Sequence, residues 1–260
     1  MTEDGLDLSA TRILVTNDDG IHAPGLKVLT RIAKGLSKDV WVVAPEYEQS
    51  AASHSLTLRR PLRVRRFGPR RFAVDGTPTD CVLVALHRIM ADKPAGLVLS
   101  GINHGANLGE DVTYSGTIAA AMEGALLGVR SVALSQMRDD KGVIHWTTAE
   151  RYAPEIIRGL TTLHWPAELL VNVNFPARAA DRVNGIRACR QGRRDTTLQV
   201  VERQDPAGRA YLWLGDFLRD STSEPDTDLA AIVDGAIAVT PLHLDLTHKA
   251  TLDRLEGVFK

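Results

Sequence analysis

"RILVTNDDGIHAPG", residues 12–25, is the stretch on which the reading of this chain turns. It is a short apolar run that ends in two adjacent aspartates, Asp18 and Asp19. The next segment, "PGLKVLTRIAKGLS" (24–37), repeats Leu26, Leu29, Ile32, Ala33 and Leu36 at three- and four-residue steps. That is the period of a helix with one buried face. "DVWVVAPE" (39–46) then predicts a second buried strand. Strand, helix, strand in this order predicts a parallel sheet with helices on its faces.

The same alternation continues outward. "SLTLRRPLRVRRFG" and "RRFAVDG" predict a β excursion. "TPTDCVLVALHRIM" (77–90) predicts a helix with Thr77 as N-cap, Pro78 at the first helical position and Asp80 in the first turn. "AGLVLS" (95–100), "SVALS" (131–135) and "ELLVNVNFP" (168–176) predict further buried strands. "TIAAAMEGALLG" (117–128) and "TTAERYAPEIIRGLTTL" (147–163) predict helices. A Rossmann-like, doubly wound core is therefore expected over about residues 11–180. Beyond it, "GIRACRQ", "TLQVVERQD" and "RAYLWLGDF" predict strands, the last two joined as a hairpin by "DPAG" (205–208). After the polar loop "STSEPDTD" come a short helix, a strand "AIAVTPL" and an amphipathic helix "HKATLDRLEGVF" (248–259). Residues 181–260 are expected to extend a single domain of 1–260 and not to form a second one. A long exposed hairpin there points to an oligomerisation arm.

Composition narrows the function classes. The chain has 260 residues, 44% hydrophobic and 24% charged, which are ordinary globular values. Its formal charge of -1 gives no reason to expect a nucleic-acid partner or a membrane surface. The basic run "LRRPLRVRRFGPRR" (58–71) is expected to be a solvated hairpin. Two cysteines, Cys81 and Cys189, exclude a disulfide framework and a cysteine zinc cluster. "MTEDGLDLSAT" at the N-terminus is too polar for a signal peptide, and no apolar stretch spans a bilayer. A cytoplasmic setting is expected.

Chemistry is expected at the carboxyl ends of the strands, where open α/β sheets bind ligands. Three ends converge there. The first gives Asn17, Asp18 and Asp19; the second gives Glu46, Glu48, Gln49 and Ser50; the third gives Ser100, Asn103, His104 and Asn107. Two like charges side by side repel unless a cation sits between them. Carboxylates with Ser and Asn oxygens form a hard ligand set, suited to Mg²⁺, Mn²⁺ or Ca²⁺. One Asp alone would more simply cap a helix or start a turn at Gly20; for the Asp-Asp-Gly trio a cation site is the better reading. Downstream, Ser115 and Gly116 lead into a helix of small residues, so free N–H groups and the Ser115 and Thr117 hydroxyls can hold an anion. Gly101, Gly105 and Gly109 fit neither a P-loop nor a dinucleotide fingerprint. His54 and His104 are expected to be polar loop residues, and His87 to be structural.

Four blocks carry a resemblance: "ILVTNDDGIHAPGL", "VVAPEYEQSAASHSLTL", "GTPTDCV" and "LSGINHGANLGEDVTYSGTIAAAMEG". In order and spacing they are similar to the SurE (survival protein E) family of metal-dependent 5′-nucleotidases, with "VTPLHLDLT" resembling its closing strand. The resemblance implies a Rossmann-like fold and a phosphomonoesterase acting on nucleoside 5′-monophosphates, and perhaps 3′-monophosphates. It implies one divalent cation per subunit, Mg²⁺ or Mn²⁺, held by Asp18, Asp19, Ser50 and Asn103. It implies phosphate contacts from Asn107, Ser115, Gly116 and Thr117, and a homodimer or homotetramer built through the C-terminal extension. Asp18 and Asp19 are also the candidate catalytic residues. Many members carry Gly after the ligand Ser, where this chain has Ala51, so a stiffer loop is expected. Two alternatives stand beside this reading. A haloacid-dehalogenase-like phosphatase would need Asp-x-Asp spacing, and the two aspartates here are adjacent. A non-catalytic nucleotide-binding stress-response protein would bind without turnover.

Overall fold

The first apolar run forms strand β1 (Arg12–Thr16), buried along its whole length. Helix α1 (Pro24–Leu36) follows and buries the face bearing Leu26, Leu29, Ile32, Ala33 and Leu36, the residues whose spacing predicts it. It leads to β2 (Asp39–Pro45), which pairs parallel to β1. The chain then makes an antiparallel hairpin of β3 (Val64–Gly68) and β4 (Arg71–Val74), and β4 pairs parallel to β2. The computed structural model describes residues 5–194, 200–215 and 224–259.

Helix α2 (Pro78–Val84) starts on a capping box: the Thr77 hydroxyl accepts from the Asp80 N–H, and the Asp80 carboxylate accepts from the Thr77 N–H. The same carboxylate accepts from the Thr57 N–H at 3.0 Å and the Thr57 hydroxyl at 2.6 Å. Asp80 therefore fastens the long loop between β2 and β3 to the body. A π-helical turn, Ala85–Ile89, ends this segment and leaves His87 exposed, not in the interior where a structural histidine is expected.

The chain next crosses to the other side of β1. Strand β5 (Leu97–His104) pairs parallel to β1, with Thr16 opposite Ser100. It runs on through Gly101–His104, a segment expected to be loop, with an irregular register against the next strand. Short α3 (Asp111–Tyr114) and then α4 (Gly116–Leu126) follow. Helix α4 is buried on nearly every side, and its run Ala119–Ala121 lets it lie close to the sheet and to α2. Parallel strands β6 (Arg130–Gln136) and β7 (Leu169–Phe175) flank α5 (Trp146–Thr161).

The sheet does not end near residue 180. Strand β8 (Ile186–Ala188) and β11 (Ile237–His243) join it, β11 antiparallel to β7 and parallel to β8. The nine-stranded order is β3-β4-β2-β1-β5-β6-β7-β11-β8, a mostly parallel sheet covered by helices. Short helix α6 (Asp228–Val233) packs on β11. Strands β9 (Val200–Gln204) and β10 (Ala210–Leu214) form a separate antiparallel hairpin, and α7 (Lys249–Val258) has no buried residue. The start of the predicted strand 197–205, the end of 209–217 and part of the loop 221–228 lie outside the described residues.

This strand order has one consequence for function. The chain leaves β1 toward β2 and returns to β5 on the opposite side, so the order reverses between β1 and β5. Crevices at such switch points are where open α/β sheets bind ligands.

Candidate active site

Residues 17–20 follow β1 at that crevice. Asn17 donates through Nδ2 to the Gly20 carbonyl at 3.1 Å and closes the turn. Asp18 is 5% exposed, and its carbonyl accepts from the Gln49 N–H at 2.8 Å, which draws the loop after β2 alongside. Its carboxylate Oδ1 accepts from the Thr117 hydroxyl. Burial, opposed by that hydrogen bond and reinforced by the Asp19 charge, pushes the Asp18 pKa up to about 6. An anion held at that cost is stabilised by a cation.

Gly116 explains how helix α4 comes so near. A Cβ at this position would lie 2.7 Å from Asp18 Cβ and 3.1 Å from Asp18 Oδ2. Glycine thus lets the first residue of α4 rest directly on the aspartate. Ser115 caps the helix, its Oγ accepting from the Ile118 N–H at 3.1 Å. The Thr117 hydroxyl thus gives its proton to Asp18, whereas Ser115 Oγ only accepts, so the Ser115 O–H and the backbone N–H groups at the helix start remain as donors for a ligand.

Asp19 sits on the other side of the turn. Its Oδ1 is 2.5 Å from His104 Nδ1. The hydrogen bond to Asp19, against partial burial, raises the His104 pKa, and the Asp19 and Glu48 charges add to the rise. Ligand atoms of Asp19, Glu48 and His104 all lie within 4.8 Å of one another. Ser50 donates to Glu48 Oε1 at 2.6 Å and so borders this group through Glu48. Asn103 donates through Nδ2 to the Gly105 carbonyl at 3.0 Å. Asn107 is held from every side: its N–H donates to Asn174 Oδ1 at 2.8 Å, its Nδ2 to Ser135 Oγ at 2.7 Å, and its carbonyl accepts from Asn172 and Asn174. Asp18, Ser50, Asn103, His104, Asn107 and Ser115 line one cleft of about 430 Å³.

The donor set fits a hard divalent cation. Asp18 and Asp19 are adjacent carboxylates, and Ser50, Asn103 and Glu48 add oxygens. Three buried oxygens at the ends of β1 and β5, Thr16 Oγ1, Asn17 Oδ1 and Ser100 Oγ, have no protein partner. Buried polar atoms are nearly always satisfied, so unpartnered ones mark a place built for a polar guest.

All eight residues that the sequence names are at or beside this crevice, with Gly116 and Thr117 reaching it through Asp18. Sequence reasoning gave Glu48 and His104 no role, although both stand in the loops it singled out. It also missed Asp228, whose carboxylate accepts from the Gly109 N–H at 2.9 Å and the Gly192 N–H at 2.8 Å. Arg194, paired with Asp111 at 2.8 Å, was missed as a wall of the cleft. Ala51, where the sequence reading expects a stiffer loop, has φ +57, a left-handed backbone that favours glycine.

Fold and site together define a class: a doubly wound α/β protein with paired carboxylates and a helix N-terminus meeting at one topological switch point. The family model described as Survival protein SurE matches residues 13–197, and the chain belongs to this family. It is 56% identical over 253 residues to the 5′-nucleotidase SurE of Paramagnetospirillum magneticum, covering 97% of both chains. It is 55% identical over 248 residues to the 5′-nucleotidase SurE of Parvibaculum lavamentivorans, 94% of this chain and 89% of that one. The crystal structure of a SurE protein from Aquifex aeolicus matches with a TM-score of 0.83 at 37% identity, covering 96% of this chain and all of that one.

Proposed function

We propose that this protein is a metal-dependent 5′-nucleotidase, which hydrolyses nucleoside 5′-monophosphates, and 3′-monophosphates as a second class, to nucleoside and phosphate. One observation carries the reading: Gly116 at the start of α4 packs on the buried Asp18. Cation ligands and an anion-binding helix end therefore share one site, as a phosphoryl group requires. Asp18 and Asp19, with Ser50 and Asn103, hold one Mg²⁺ or Mn²⁺ per chain. When bound, the cation supplies charge to draw on phosphoryl oxygens and to polarise a water. The N–H groups of Gly116 and Thr117 and the Ser115 hydroxyl donate to non-bridging oxygens, while Ser115 Oγ also caps the helix end. Thr117 orients the Asp18 carboxylate, and Asn107 holds the loop that carries Asn103.

The chain is read as one domain acting in the cytoplasm. Among the described residues, no helix is long and apolar enough to cross a membrane. The β9–β10 hairpin exposes Val200, Leu212, Trp213 and Leu214, and α7 with the residue that caps it exposes Leu252, Leu255, Val258 and Phe259. Such patches support self-association into a dimer or tetramer.

The test is phosphate release from a panel of nucleoside monophosphates by protein stripped with EDTA, then given Mg²⁺, Mn²⁺, Ca²⁺ or Zn²⁺. The reading expects activity to vanish on stripping and return with Mg²⁺ or Mn²⁺. Full activity in the stripped protein, or no release from any nucleotide, overturns it.

A further inference from the structure

A groove of about 690 Å³ runs between α1 and the turn of the β3–β4 hairpin. It shares no lining residue with the cleft at Asp18. The volume falls within the range of ligand pockets, about 300–1,000 Å³. Its floor is apolar, made by the buried side chains of Ile21, Leu26, Val40 and Val42.

The walls carry cations. Lys27, Arg31 and Lys34 follow one another at steps of four and three residues, so they share one side of α1 over about 10 Å. Lys38 continues the row past the helix end. Arg70 and Arg71, the last two arginines of the basic run 58–71, form the facing wall. Both are anchored: Arg70 donates to the Lys38 carbonyl at 3.0 Å and Arg71 to the Ile21 carbonyl at 2.6 Å. The structure thus turns part of the run expected to be a solvated hairpin onto a groove.

Six cations and no carboxylate line this groove, in a chain whose formal charge is -1. Arg31 pairs with Glu150 and Arg70 with Asp39 outside it. Lys27, Lys34 and Lys38 have no acidic partner among the described residues. Like charges gathered in this way repel one another, and a polyanion relieves that cost. One aromatic ring completes the lining. Phe67 is 41% exposed and is held in T-shaped contact by His22, with 5.4 Å between ring centroids.

This pattern discriminates among anions. A fatty acyl anion is charged at one end, whereas these cations stand along both walls. An extended acidic peptide would lay backbone polar groups on the apolar floor. The single lining hydroxyl, Thr30 Oγ1, already donates to the Leu26 carbonyl at 2.7 Å and cannot satisfy them. A single-stranded oligonucleotide divides its chemistry as the groove does, with phosphodiesters along cationic walls and base faces on apolar and aromatic side chains. A duplex hides those faces.

We propose that this groove binds a short single-stranded oligonucleotide, with phosphodiesters on Lys27, Lys34 and Arg70 and a base stacked on Phe67. The site is separate from the catalytic one, and the proposal does not depend on the nucleotidase reading.

The test is fluorescence anisotropy of a labelled oligouridylate of about eight nucleotides, within the usual site sizes. It carries no terminal phosphate, so it offers the catalytic site no monoester. Mn²⁺-loaded wild type is compared with Lys27→Glu, Lys34→Glu and Phe67→Ala, all at exposed positions, with thermal melting as the check on folding. AMP and deca-glutamate serve as competitors. Wild type should bind with a log–log salt slope of about -2, as for three neutralised phosphates on a single strand. Each Glu variant should bind at least about tenfold more weakly, and Phe67→Ala at least about fivefold. All three should keep kcat/KM for AMP within twofold of wild type. The proposal is overturned if wild type does not bind, if the folded variants bind equally, or if AMP displaces the oligonucleotide. Displacement by deca-glutamate as effective as that by unlabelled oligouridylate would also overturn it, in favour of an acidic peptide. Absence of phosphate release from AMP by wild type would sink the nucleotidase reading and leave the binding test to decide the groove.

Discussion

Gly116→Ala is the substitution whose outcome the structure fixes most closely. In an open helix, replacing Gly by Ala gains up to about 1 kcal/mol. Here the new methyl would lie 2.7 Å from Asp18 Cβ and 3.1 Å from Pro78 Cγ, against an ordinary carbon–carbon contact of about 3.5–4.0 Å. Asp18 is 5% exposed at a strand end and Pro78 opens α2, so neither has room to retreat. Overpacking of this kind costs about 1–3 kcal/mol, which outweighs the propensity gain. The separation needed is close to 1 Å, and a misplacement of that size at a reacting centre costs on the order of 10²-fold in rate. Alanine keeps the backbone N–H, so the loss isolates the packing of α4 on Asp18 from the donor itself. The assay is kcat/KM for AMP at saturating Mn²⁺, alongside thermal melting. A variant that melts no lower than wild type and works within twofold of its rate would refute the reasoning.

Thr117→Val keeps the shape and removes the hydroxyl that donates to Asp18. It should weaken Mn²⁺ dependence or rate by about 10–100-fold, while Thr117→Ser restores both. Ala51→Gly removes the Cβ from a left-handed residue, a relief of about 1–2 kcal/mol reduced by about 0.4–1 kcal/mol of unfolded-chain entropy. Urea denaturation should show a modest gain in stability. At the opposite end of the sheet, Arg12 donates to Asp39 at 2.9 Å and to Asp92 at 2.8 Å. Burial acts to raise the Asp39 pKa, but the hydrogen bonds from Arg12 and the Trp41 indole leave it lowered; the Arg12 hydrogen bond lowers Asp92 as well. Both aspartates bind fewer protons folded than unfolded. Their contribution is therefore complete above the ordinary value of 3.8 and is lost as pH falls through the lower folded values. The urea midpoint should drop as pH falls below about 3.8, and Arg12→Met should flatten that dependence.

The core was legible because its signals are local. The spacing of Leu26, Leu29 and Ile32 is the buried face of α1, and Thr77 with Asp80 is a capping box in sequence and in space. The adjacent aspartates are readable as a candidate cation site because their repulsion is a cost written in two consecutive letters. What the sequence hid is long-range. Thr117 reaches Asp18 across 99 positions, and Asp228 reaches Gly109 across 119. No periodicity encodes such pairs. A hydroxyl at a helix start reads equally as a cap, a phosphate donor or a partner for a carboxylate, and only packing decides. Residues 101–104 read as loop because glycine and asparagine disfavour strands, yet pairing with β6 carries the strand on.

The central claim is that Asp18 and Asp19 together hold a divalent cation beside the start of α4. Titration of Mn²⁺ into EDTA-stripped protein, followed by the electron paramagnetic resonance signal of free Mn²⁺, tests it directly. The account predicts one site per chain in wild type and binding at least about 100-fold weaker in Asp18→Asn and in Asp19→Asn. Equal Mn²⁺ binding by wild type and both variants would contradict it.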